Sequence, residues 1–78
     1  MLLKKLMAIK YNRIKDILDE RGVRQKWLAQ KLGMTQANVS RICANKLQPN
    51  LELLFKIADI LNVHPSELLG DRTDDGKK

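Results

Sequence analysis

The chain is poor in the residue types on which many small folds and most active sites depend. It has one cysteine, Cys43, so no internal disulfide can form. His64 is its single histidine, so no Cys/His cluster exists to hold a structural zinc. Only Tyr11, Trp27 and Phe55 are aromatic, which leaves the core to aliphatic side chains. No apolar run approaches the length of a membrane span. The opening MLLKKLMAI is interrupted by Lys4 and Lys5, and no small-residue cleavage site follows it. These absences fit a protein of the reducing cytoplasm, and neither a membrane partner nor a cofactor is expected.

The usual marks of an enzyme are missing as well. Seventy-eight residues make one small domain, and a chain this short buries only about 60% of its unfolded surface, too little for a deep catalytic cavity. Ser40 and Ser66 have no plausible His/acid partners. Asp19-Glu20 and Asp74-Asp75 are chain neighbours rather than facing carboxylates, and no Gly-rich phosphate loop occurs. No catalytic residue, metal site or small-molecule ligand is expected.

What the chain does have is charge of one sign, unevenly placed. Residues 1–50 carry eleven Lys/Arg against three Asp/Glu, and residues 51–78 carry four against six. From Gly22 to Asn50 there are five cations (Arg24, Lys26, Lys31, Arg41, Lys46) and no acid. A stretch of that length with one sign produces a local positive field suited to a polyanion. Composition alone does not separate nucleic acid from an anionic membrane or an acidic protein.

Helical periodicity runs through the rest. Ile14, Ile17 and Leu18 share one face of a first helix, over 12–21, which Gly22 stops. Leu28, Ala29 and Leu32 do the same in a second, over 25–32, ended by Gly33. Thr35 is a suitable N-cap for a third, with Val39 and Ile42 inward and Asn45 where a left-handed residue is wanted. Asn50 caps a fourth helix whose Leu54, Ile57, Ala58 and Leu61 repeat at helical spacing. A single-turn fifth helix is expected from Pro65, with His64 as its cap and Gly70 closing it. Residues 71–78 lack any apolar side chain and read as a disordered tail. The leader, residues 1–10, reads either as an extended arm or as a backward extension of the first helix through Leu3, Met7 and Tyr11. The domain proper is then residues 11–70.

Two short helices joined by Gly33-Met34-Thr35, the second capped and polar on its outer side, have the spacing of a helix-turn-helix. The run from Gln25 to Ile42 resembles the Cro/CI-type (lambda-repressor-like, XRE-family) helix-turn-helix family. Residues Asn45–Leu61 resemble that family's loop and fourth helix, and Val63–Leu68 its short fifth helix. The resemblance implies an all-α, compact five-helix fold and a DNA-binding transcriptional regulator, usually dimeric, of which a repressor is the expected form. Its partners would be double-stranded DNA and a second copy of itself.

With Val39 and Ile42 inward, the opposite side of the third helix presents Ala37, Ser40 and Arg41, with Gln36 at its N-terminal end and Asn38 to one side. These five are the candidate base contacts. A glutamine suits adenine, an arginine guanine and an alanine the thymine methyl. Arg24, Gln25, Asn45 and Lys46 are the candidate phosphate contacts. Arg24 departs from the family, which usually has a Ser or Thr cap there; a cation at a helix start opposes the macrodipole unless an anion docks on it. Trp27 and Cys43 stand where the family commonly has acids. Trp27 is expected to pack against the first helix or the leader, with an edge contact to the DNA backbone as the rival. Cys43 is expected to be a small, partly buried filler. The runner-up reading is an antitoxin or protein adaptor on the same fold. For a dimer, the loop and fifth helix (Leu47, Pro65, Leu69) and the apolar leader are rival surfaces.

Overall fold

The computed structural model describes residues 10–70. Four α-helices follow one another: α1 (Ile14–Arg21), α2 (Gln25–Leu32), α3 (Gln36–Cys43) and α4 (Leu51–Leu61). A 3-10 turn, Pro65–Leu68, closes the order, and no strand is assigned among the described residues. The architecture is all-helical, but the expected fifth helix is this single tight turn. Its four residues are followed by Leu69 in extended conformation, so the chain leaves the helical region at once. The expected tail and all of the leader but Lys10 lie outside the described residues.

The helix boundaries follow local chemistry. Gly33 holds φ +70 in the turn between α2 and α3, a left-handed conformation that a Cβ disfavours. Its N–H and that of Met34 bond back to Gln30 and Ala29. Asn45 and Asn62 take the same region at φ 61 and 58, as the second-best residue there can. At the starts of α3 and α4, Thr35 Oγ1 accepts the Asn38 N–H at 3.1 Å and Asn50 Oδ1 accepts that of Leu53 at 2.8 Å. His64 caps the 3-10 turn as expected, accepting from the Ser66 N–H, while Glu67 accepts from the His64 N–H.

One aliphatic core joins these pieces. Ile14, Ile17 and Leu18 of α1 meet Leu28 and Ala29 of α2, Val39 and Ile42 of α3, and Leu54, Ile57 and Leu61 of α4. Leu68 of the 3-10 turn is fully buried with them. α2 lies against α3 and α4, α1 against α3, and α4 against the 3-10 turn. The three aromatics stay out of this core: Tyr11, Trp27 and Phe55 are all exposed.

Both ends of the described chain are tied together by backbone. Residues 10–13 are not helical, so α1 begins at Ile14 and no helical stripe runs back through Tyr11. Asn12 instead bridges antiparallel to Leu69. The Arg13 N–H donates to the Leu68 carbonyl and the Gly70 N–H to that of Tyr11, each at 2.8 Å. Gly70 is therefore no helix stop. It lets two backbones touch, since a Cβ there would run into the Lys10 carbonyl.

Candidate nucleic-acid interface

The acid-free segment exposes most of its polar side chains and buries Leu28, Ala29, Val39 and Ile42. Gln36, Ala37, Ser40 and Arg41 all lie exposed on α3, Asn38 is half-buried, and Val39 and Ile42 face the core. Arg24 is exposed and Gln25 half-buried at the start of α2, and one open cleft is lined by Arg24, Gln25, Lys26 and Gln36 together with Leu18, Asp19 and Val23. The tertiary fold thus brings a candidate phosphate pair and a candidate base contact, eleven or twelve residues apart in sequence, to the same groove.

Charge pairing divides the surface. Four ion pairs occur among the described residues: Lys10–Asp16, Arg13–Asp16, Arg13–Glu20 and Lys15–Asp19. All involve α1 and the residues just before it. The Lys10 ammonium hydrogen-bonds Asp16 and holds its carboxyl below the ordinary carboxylate range. The Asp19 carboxylate bonds Lys15 and raises its ammonium. Arg24, Lys26, Lys31, Arg41 and Lys46 form no ion pair with a described residue.

Arg24 makes no side-chain cap on α2, so the first-turn N–H groups of that helix have no side-chain acceptor from the N-cap. That end, with its own cation, is electrostatically incomplete without an anion. Trp27 is 38% exposed on the same helix, and the Lys31 ammonium stands 5.5 Å from its ring centroid. The leader, an expected neighbour of Trp27, is outside the described residues.

The expectation for Asn45 changes most. Its side-chain oxygen accepts the Asn12 N–H at 2.9 Å and its amide donates to the Asn12 carbonyl at 3.0 Å. Both ends of the amide are engaged inside the protein, which gives this side chain a structural task beside its expected phosphate contact. Lys46 beside it is exposed.

Asn12 itself escaped the sequence reading. It is 3% exposed, the one buried polar residue of the described chain. Its amide donates to the Ile42 carbonyl at 3.0 Å and to Gln48 Oε1 at 2.9 Å, while its oxygen accepts the Ile14 N–H at 3.1 Å. One side chain therefore caps the start of α1 and holds the last turn of α3. An Asn just ahead of an apolar periodic run is a legible cap signal; its partners thirty and thirty-six residues away are not. Cys43 is a buried filler, and burial pushes its thiol up to about 11 from 9.0, which leaves it protonated and unreactive at neutral pH.

Among known proteins, a helix-turn-helix family model matches residues 14–68. A crystal structure of a Bacteroides fragilis protein, described as a "putative DNA-binding protein", is similar over 77% of this chain and 97% of its own. The two share 43% sequence identity, with a TM-score of 0.76. None of the curated proteins compared matches the chain.

Proposed function

Because the chain belongs to the Cro/CI-type helix-turn-helix family, we propose that it binds double-stranded DNA sequence-specifically and regulates transcription, as a repressor, in the cytoplasm. In this reading α3 enters the major groove by its N-terminal end. Gln36, Ala37, Asn38, Ser40 and Arg41 meet base edges. Arg24, Gln25 and Lys46 hold phosphates on either side, and Asn45 positions α3 from within. Two copies occupy half-sites about 34–36 Å apart, since one such unit spans too little DNA to discriminate well.

The observation that carries this reading is the coincidence of charge and shape. Arg24 and Lys26, which form no ion pair with a described residue, line the same cleft as Gln36 of α3, a helix whose outer side is polar and whose first turn is capped by Thr35. A phosphate at the start of α2 would also turn the unfavourable Arg24 charge into a favourable one. The Bacteroides fragilis relative supports the same partner by its description.

The test is selection of genomic fragments by the purified chain, followed by salt titration on the selected site. Log affinity is expected to fall linearly with log salt, at a slope set by the phosphates neutralised. Arg24→Ala should weaken binding to all sequences alike and flatten that slope by about one. Arg41→Ala should relax preference at one base position, by roughly 1–3 kcal/mol. If neither substitution alters affinity for DNA, the groove assignment is wrong and the adaptor reading takes its place.

A further inference from the structure

Trp27 is a large side chain that the core does not claim and that the proposed groove contacts leave unused. Its ring is 38% exposed and forms one wall of an open cleft whose other walls are Gly22, Val23, Arg24, Lys26 and Gln30. No acid lines this cleft. Lys31, one turn further on, holds its ammonium 5.5 Å from the ring centroid, so ring and cation are presented to solvent together. Arg24, Lys26 and Lys31 form no ion pair with a described residue. An indole bordered by three such cations offers an apolar face and a positive field in one place. Two of the wall residues, Arg24 and Lys26, also line the cleft that holds Gln36. The Trp27 cleft therefore adjoins the surface that would meet DNA, although no residue of α3 lines it.

We infer that Trp27, Lys26 and Lys31 make a second contact with the DNA backbone, outside the base pairs that α3 reads. The indole packs on a deoxyribose, and the two ammonium groups take the phosphates to either side of it. Ring and cations succeed one another along α2 as sugar and phosphates do along a strand. Gln25 to Lys31 is about 9 Å of helix at 1.5 Å per residue, against about 3.4 Å of rise per nucleotide, so the face spans roughly two to three nucleotides. Such a contact reads no base; it adds affinity and lengthens the duplex that the protein requires. An acidic protein segment would suit the same charge, but the residues shared with the Gln36 cleft put this face beside the DNA. The inference rests on the DNA reading proposed above.

Trp27 is the single tryptophan of the chain, so its emission reports the contact directly. The selected fragment is prepared in two lengths: the shortest duplex that keeps base-specific preference, and that duplex extended at both ends by half a helical turn. Acrylamide quenching of Trp27 should fall when the full chain binds the extended duplex and stay near its free value on the short one. Trp27→Ala and Lys31→Ala should each weaken the extended complex on the order of tenfold and the short one hardly at all, whatever the flanking sequence. Lys31→Ala should also lower the salt slope on the extended duplex by about one, whereas Trp27→Ala should leave it unchanged, because a ring displaces no counterion. The quenching measurement uses the unaltered chain, so it decides the matter even if Trp27→Ala fails to fold. Equal acrylamide access in free and bound chain, equal losses on both duplexes, or no loss on either would overturn the inference. A polyglutamate peptide that shields Trp27 where the extended duplex does not would give the face to an acidic protein segment instead. A chain that selects a fragment but leaves Trp27 open sinks this contact alone. A chain that selects none sinks the DNA reading, and this contact with it.

Discussion

α1 and α3 are both eight residues long, and both give an aliphatic face to the same core. Their outer surfaces differ in kind. On α1 Asp19 pairs with Lys15, and Asp16 and Glu20 pair with Lys10 and Arg13 just before the helix, so each of its acids is answered within the protein. On α3 Arg41 forms no ion pair with a described residue and projects from a segment without an acid. α1 begins without a cap from its own N-cap residue, whereas α3 begins with a bonded Thr35. Equal length and equal burial therefore say little about role. What separates the two surfaces is how far their exposed charges are answered within the protein.

The two helices should be equivalent only in the core. Ile42→Ala, at a side chain 2% exposed, should cost about 2–5 kcal/mol of stability in urea unfolding, and Ile14→Ala a similar amount. Asn12→Ala breaks the joint between them: the Ile42, Gln48 and Ile14 bonds are lost together, for about 1–3 kcal/mol. DNA affinity measured well below the melting temperature should also fall, because α3 loses the group that holds its last turn. An effect on stability with none on affinity would mean that α3 is positioned by its core contacts alone. Thr35→Ala should cost about 1 kcal/mol through the lost cap, read as a lower thermal midpoint.

The smallest effect is the one that separates the helices by pH. Asp16 titrates below its ordinary value because Lys10 holds it ionised. Its contribution is complete above the ordinary carboxylate range and is lost as pH falls through the depressed value. Acid should therefore loosen α1 slightly, and Asp16→Asn should remove that component of the pH dependence measured by denaturation. The acid-free segment around α3 has no carboxylate to titrate in this window. The pair is partly exposed, so the component is small and should shrink in high salt.

Much of this was legible beforehand. Gly22, Gly33, Asn45, Thr35 and Asn50 marked helix ends, because left-handed φ and side-chain capping are local properties of a few residue types. Val39 and Ile42 were assigned inward from spacing alone, since 3.6-residue periodicity needs no knowledge of what lies opposite. Gly70 was misread because its requirement comes from Lys10, sixty residues away. Trp27 was expected to pack against the first helix or the leader; it is 38% exposed, the inner face of α2 being taken by Leu28 and Ala29, and the leader lies outside the described residues. Asn45 offered a plausible phosphate contact, and only the fold shows that its amide is also turned toward Asn12.

The sequence by itself thus determined where α2, α3 and α4 start and stop, which face of each helix is apolar, and that charge between Gly22 and Asn50 has one sign. Those are statements about neighbours along the chain, governed by backbone geometry and periodicity. Tertiary structure alone decided that Asn12 would hold α3 from behind, that Arg24 and Gln36 would share a groove, and that Leu51 and Phe55 would be left outside. Each depends on how separate helices pack, and a polar or apolar side chain acquires its partner, or lacks one, only when the core has closed.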